Sequence, residues 1–177
     1  MPTFLSHPAV PAALGLGLGE DAVSPRLVVA GAIASVLPDL DVIGLHAGVP
    51  YAAPLGHRGA THSLAAAVAL ALLGAALHRP LRTRARTAFL FLLASAASHG
   101  VLDAFTNGGL GVALVWPFSD ARFFAPARPI QVAPLRHVLG ARGLAALGSE
   151  LLRVWAPCAA VALALAARRL AARRART

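Results

Sequence analysis

Residues 87–105 read TAFLFLLASAASHGVLDAF, an apolar run that carries one imidazole, His99, and one carboxylate, Asp103, near its end. Runs of about 17 to 25 apolar residues are long enough to cross a bilayer as a helix. Immediately before it stands RPLRTRAR, with arginines at 79, 82, 84 and 86, and before that HSLAAAVALALLGAALH, His62 to His78. The chain therefore reads as two antiparallel spans joined by a basic turn. A third span, roughly Leu151 to Ala167, ends in RRLAARRART. Short arginine-rich connections mark the cytoplasmic side, so the 79–86 turn and the tail at 168–177 are expected inside. The His62 and Asp103 ends are then expected outside.

Composition agrees with a membrane protein. Of 177 residues, 58% are hydrophobic and only 13% charged, with a mean hydropathy of +0.70. Soluble domains are more polar than this. All 16 basic residues are arginine, which reads as coding bias, so the net charge of +9 is no argument for nucleic acid. The arginine tail is read as a topology signal that also attracts anionic lipid. A single cysteine excludes a disulfide framework or a thiolate metal cage within the chain. No long polar linker interrupts the apolar pattern, so residues 1–177 are expected to form one domain. The N-terminus lacks a positively charged n-region and is broken by Pro8 and Pro11, so it is read as retained rather than cleaved, keeping His7.

The apolar stretches 8–19 and 26–37 are short for crossings, and Pro38 is expected to end the second. Residues 106–149, rich in Gly, Pro and aromatics, read as an irregular outer cap. Trp116, Phe118, Phe123 and Phe124 are expected to seat that cap at the headgroup level. The expected fold is all-α: a polytopic bundle of about three full spans, two short N-terminal helices and the cap.

Chemistry gathers at one end of this bundle. His62 lies 16 residues before His78, and Asp103 lies 16 residues after Thr87. At about 1.5 Å per residue, both stand about 24 Å from the basic turn. His99 shares a helix face with Asp103, because i and i+4 superimpose. The stretch LPDLD brings Asp39 and Asp41 to the same level, and GHRGATHSL adds His57 and Arg58. His7 opens the first apolar arm on that side. A carboxylate in an apolar span costs about 2.5–3.5 kcal/mol even on insertion scales, so Asp103 calls for a partner.

The donors fit a divalent cation, zinc first, since zinc takes imidazole nitrogen and carboxylate oxygen and keeps a position for water. The ligand candidates are His7, Asp39, Asp41, His57, His62, His99 and Asp103, with the choice between Asp39 and Asp41 open. Asp39 or Asp41 could serve as the base that orients a water. Arg58 could hold a phosphate in fork geometry, or pair with one of those two carboxylates. Thr61 or Ser63 suits the N-cap of the following helix. His46, His78 and His137 are read as structural or solvated.

LPDLD, GHRGATHS and SHGVLDAFTNGG followed by WPF resemble the YdjM-like family of membrane-bound metal-dependent hydrolases, over about residues 5–120. More distantly, His-x-x-x-Asp at 99–103 after an upstream Asp and His is similar to zinc-dependent phospholipase C and related zinc nucleases. That likeness implies His7, Asp39 or Asp41, His62, His99 and Asp103 as ligands, with Asp103 bridging. The later His-…-His-x-x-x-Glu set of those enzymes is missing, since His137 stands alone and Glu150 has no companion in sequence. The resemblance implies hydrolase chemistry without identifying what is cut, while the arginine placement puts the metal site of an expected multi-pass inner-membrane enzyme on the non-cytoplasmic face. Such an enzyme would cleave a lipid or small-molecule ester or phosphoester. Two other readings are a metal-binding or transport protein using the same ligands, and a regulator acting through its arginine-rich surface.

Overall fold

The computed structural model describes residues 2–133 and 140–175; His137 lies outside them. The described residues form helices α1 (Ala9–Leu18), α2 (Pro25–Val36), α3 (Val42–His46), α4 (Leu64–Ala76), α5 (Ala85–Ala104), α6 (Ala141–Glu150) and α7 (Ala156–Arg174). No β-strand occurs among them, and the cap contains only two isolated bridges, Thr106 with Ile130 and Val112 with Phe123.

Three helical stretches are long and apolar enough to span a membrane: Pro25–His46, Ala85–Ala104 and Ala141–Arg174. Two apolar helices are shorter, Ala9–Leu18 and Leu64–Ala76. The expected tally of long and short helices is met, but its membership shifts. Pro38 does not end the second arm. It falls at the start of a 3-10 turn, Leu37–Asp41, where a missing N–H costs little, and the chain continues into α3. Conversely, the 62–78 stretch yields only the 13-residue α4. A 3-10 turn at Ala60–His62 takes up its first residue, and Ser63 caps the helix by accepting the Ala66 N–H at 3.1 Å. The last span begins earlier than expected, because α6 runs through a π-helical turn, Leu151–Trp155, into α7.

Small residues set the packing. Along α1, Ala9, Ala13 and Gly17 repeat every fourth residue, as do Pro11 and Gly15. A Cβ at Gly17 would meet Leu165 of α7 at 2.7 Å, and one at Gly15 would meet Val28 of α2 at 2.5 Å. α1 is thus wedged between two helices by two small-residue stripes, the device that lets backbones approach closely in lipid. A buried apolar cluster of Leu27, Ala34, Ala67, Ala71, Ala88, Phe91, Leu92 and Ala96 joins α2, α4 and α5. Arg26 and the 79–86 turn lie at one end of this bundle, while Asp39, His62 and Asp103 lie at the other.

Candidate metal centre

The end of α5 fixes the register of the site. His99 and Asp103 stand one turn apart, both fully buried at 0% exposure. The 3-10 turn after α2 drops Asp39 against them, and the turn before α4 brings His62 down from the other side. Gly100 permits this approach, since a Cβ there would stand 2.5 Å from the His62 carbonyl oxygen. One donor atom from each of Asp39, His62, His99 and Asp103 lies within 4.8 Å of the other three. Asp39 Oδ1 is 3.4 Å from His99 Nε2 and 3.6 Å from His62 Nε2. Asp103 Oδ2 is 3.5 Å from His62 Nε2 and 3.9 Å from His99 Nε2. Ligands about 2.0–2.1 Å from a tetrahedral zinc are about 3.3 Å apart, so these separations suit one shared ion.

None of these four donor atoms has a hydrogen-bond partner among the described residues. Buried polar atoms are normally paired, so a set without hydrogen bonds, of which only Asp103 has an outside ion-pair partner in Arg58, could hold a metal ion. The opposite edges of the imidazoles are satisfied. His99 Nδ1 meets the Ser35 carbonyl at 2.7 Å, and His62 Nδ1 lies 3.1 Å from Asp41 Oδ2. This backing by a carbonyl or carboxylate fixes the tautomer that aims Nε2 at a metal.

Asp41 belongs to that backing layer. Besides His62, it takes His57 Nδ1 at 2.6 Å, the Thr61 hydroxyl at 2.8 Å and the Arg58 N–H at 3.2 Å. Asp41, His57 and His62 also form a second group, with one donor atom of each within 4.8 Å of the others, that could hold a metal ion; the 2.6 Å contact between Asp41 and His57 is that of a hydrogen bond. Arg58 is fully enclosed, with Nε 3.1 Å from Asp103 Oδ2 and its other nitrogens donating to the Gly108 carbonyl at 2.9 Å and Thr106 Oγ1 at 3.0 Å. Its φ of 63° is a conformation L-residues rarely adopt, maintained only where the surroundings over-determine it. Arg122 of the cap clamps the 51–57 loop by donating to the carbonyls of Tyr51, Ala53 and His57.

A family model, YdjM inner membrane protein, matches residues 1–175. Inner membrane protein YbcI of Escherichia coli (strain K12) is 46% identical over 160 residues, covering 89% of this chain and 92% of that protein. The chain belongs to the YdjM inner membrane protein family. The three long apolar stretches accord with a YdjM-family protein that crosses the membrane more than once. No solved structure matches the chain.

In this YdjM-family chain, the residues singled out from sequence fall into distinct places. Asp39, His62, His99 and Asp103 share the ligand geometry; Asp41 and His57 stand behind it. His7 lies at the edge, its ring stacked on His99 with centroids 3.7 Å apart and Nε2 3.8 Å from Asp39 Oδ2. Burial, then the neighbouring His99, lowers the His7 pKa to about 3, which keeps both nitrogens available as lone-pair or N–H groups. For His62, burial works to lower the pKa, but the Asp39 and Asp41 carboxylates outweigh it and hold the value at about 9. Arg58 pairs its side chain with Asp103 rather than with Asp39 or Asp41, and its guanidinium has no face free for a phosphate. His46 is exposed and His78 turns back to the Thr83 carbonyl, in keeping with structural roles. Phe118 is 91% exposed at the cap.

Glu150 is the residue that sequence reasoning passed over. It is 1% exposed and accepts from the Thr3 N–H at 2.6 Å, the Thr3 hydroxyl at 2.5 Å and the Ser6 hydroxyl at 2.5 Å. Trp155 Nε1 adds a bond to Ser6 Oγ at 3.1 Å. The last helix thus anchors the segment that carries His7. Its only sequence signal is a lone carboxylate in an apolar setting.

Proposed function

We propose that the protein is a membrane-bound, metal-dependent hydrolase of ester or phosphoester bonds, with zinc as the fitting metal. The observation that carries this reading is the set of four buried donors, Asp39 Oδ1, His62 Nε2, His99 Nε2 and Asp103 Oδ2, gathered within one ion's reach with only Asp103 ion-paired outside the set, to Arg58. Charge supports it as well. Asp39, Asp41 and Asp103 bring three negative charges and Arg58 one positive, so once His62 has given up its proton to the metal the pocket carries a net charge that a single divalent cation balances. Paired buried charges are tolerable where uncompensated ones are not.

A zinc ion bound there supplies a water of lowered pKa and a Lewis-acidic contact for a carbonyl or phosphoryl oxygen. The chain's own residues do the rest. Asp41 orients His62 and His57; His57, with Nδ1 on Asp41, has Nε2 to take up and return a proton, the base-and-orienter arrangement of many hydrolases. Arg58 fixes Asp103 and offsets its charge. Leu40, Leu55 and Leu64, close in sequence to Asp39, His57 and His62, are 56%, 68% and 48% exposed, an apolar surface that would suit a lipid-like substrate. By the positive-inside rule this end faces away from the cytoplasm.

The test is elemental analysis of purified wild type, His99→Ala and Asp103→Ala, alongside turnover of chromogenic esters and phosphodiesters. About one equivalent of zinc and measurable turnover in wild type, both lost in the variants, is the expected outcome. Equal, negligible metal in all three removes the proposal. The near-complete burial of the donors favours one alternative, a protein that holds metal without turnover; stoichiometric metal with no hydrolysis of any ester class would select it.

A further inference from the structure

At the opposite end from the metal centre, a cavity of about 870 Å³ opens between the α1–α2 connection and the 78–87 turn. Arg79, Arg82 and Arg84 line one side of it, and Glu20 and Asp21 the other. A second cavity of about 460 Å³ adjoins it, sharing Leu18, Val23, Arg84 and Thr87. Its walls are apolar, Leu14 of α1 with Leu90, Phe91 and Ala94 of α5. From Arg86 to Ala94 this groove follows α5 for about 12 Å into the bundle's apolar zone.

Several guanidiniums are already satisfied by the protein. Those of Arg58, Arg122 and Arg169 donate to protein acceptors, Arg173 pairs with Asp21, and Arg26 donates to the Pro80 carbonyl. Those of Arg79, Arg82, Arg84 and Arg86 make no hydrogen bond or ion pair among the described residues. Arg82 also sits at φ 52°, a rarely occupied backbone conformation that the tight 79–84 turn imposes. Glu20, likewise without a partner, faces the same space. Unpaired cations, a nearby unpaired carboxylate and a continuous apolar groove match the parts of one molecule: a phosphodiester, an ammonium group and an acyl chain. Arginine forks suit phosphate oxygens, and a carboxylate suits an ammonium.

We propose that this end of the bundle is a binding site for an amine-bearing phospholipid. Its phosphate lies among Arg79, Arg82 and Arg84, its ammonium at Glu20, and one chain begins along Leu14, Leu90 and Ala94. The site is separate from the metal centre and does not depend on its chemistry.

Native mass spectrometry of the full chain in detergent tests this, with phosphatidylethanolamine, phosphatidylglycerol or inorganic phosphate added. Wild type should retain one phosphatidylethanolamine in preference to phosphatidylglycerol. Arg79→Gln with Arg84→Gln should lower that retention at least about tenfold, equivalent to about 1.4 kcal/mol. Glu20→Gln should abolish the headgroup preference. Ala94→Trp, which fills the groove and leaves every charge in place, should also expel the lipid. Zinc content should be unchanged throughout. Retention indifferent to the arginine and Ala94 changes, absence of headgroup preference in wild type, or displacement of the lipid by inorganic phosphate would each overturn the proposal, the last by pointing to a free-anion site.

Discussion

Asp39 and Asp41 stand two residues apart yet serve different neighbours, and the 3-10 turn is the reason. At three residues per turn, positions i and i+2 point about 120° apart. Asp39 faces His99, His7 and the Nε2 edge of His62, while Asp41 faces the 57–61 loop and the Nδ1 edge of His62. This division has a measurable consequence. Because those carboxylates hold the His62 pKa at about 9, loading the metal must displace that proton. Metal affinity should therefore rise by up to about tenfold per pH unit below pH 9 and level off above it. Calorimetry in buffers of different ionisation enthalpy should find about one proton released per zinc at neutral pH. In Asp41→Asn, His62 loses a supporting carboxylate. Affinity at high pH should fall about 10- to 100-fold, and the pH-dependent rise should move to lower pH. An unchanged affinity and slope would remove Asp41 from the backing layer. The sequence left Asp39 and Asp41 equivalent because PDLD reads as an ordinary turn, whose handedness and pitch a residue string does not declare.

At the scale of elements, the centre depends on how closely a turn can be pressed against a helix. Gly100 lies between His99 and Asp103, and the turn at Ala60–His62 rests on it. Alanine is a better helix former than glycine by about 1 kcal/mol, so Gly100→Ala should leave the helical circular dichroism intact. Its Cβ, however, would meet a backbone oxygen at 2.5 Å, and the His62 turn has to retreat. Zinc retention should drop while the helix content stays. Gly148→Ala is the control: nothing lies within 4 Å of its added Cβ, so metal content should not change. The i to i+4 spacing of His99 and Asp103, and the matching depth of His62, were legible because helical rise is constant. The continuation of α2 past Pro38 was not, since a proline that stops one helix can equally start the next turn. Ser63 was one of two cap candidates in the sequence; what escaped was that the cap leaves His62 outside α4 and that the helix stops at Ala76, before His78.

Across the whole molecule, the described arginines at 26, 79–86 and 168–174 fall at one end, and the buried imidazoles and carboxylates at the other. That polarity could be read from sequence, because hydropathy and arginine placement are both linear signals. What could not be read were pairings between distant segments. Arg58 is 45 positions from Asp103 in numbering, and Thr3 is 147 from Glu150. Only packing selects among the many partners such residues could have. Glu150→Ala would leave two hydroxyls and an amide without their acceptor, a loss of about 1.5–3 kcal/mol per bond to a charged group. Hydrogen exchange at residues 3–9 should accelerate sharply, and the melting temperature should fall. Zinc should remain with the four-donor set if His7 only borders it. Protection unchanged at residues 3–9 would show that the anchor is dispensable.

The Glu150 anchor also sets an order of events during synthesis. The segment bearing His7 is made first, but its acceptor emerges only when most of the polypeptide has left the ribosome. Until then His62, His99 and Asp103 can meet Asp39 with one wall still open to passing ions. Closure comes with the last helical stretch, Ala141–Arg174, so a chain interrupted before that point would leave the four-donor pocket open, whereas the complete fold encloses it.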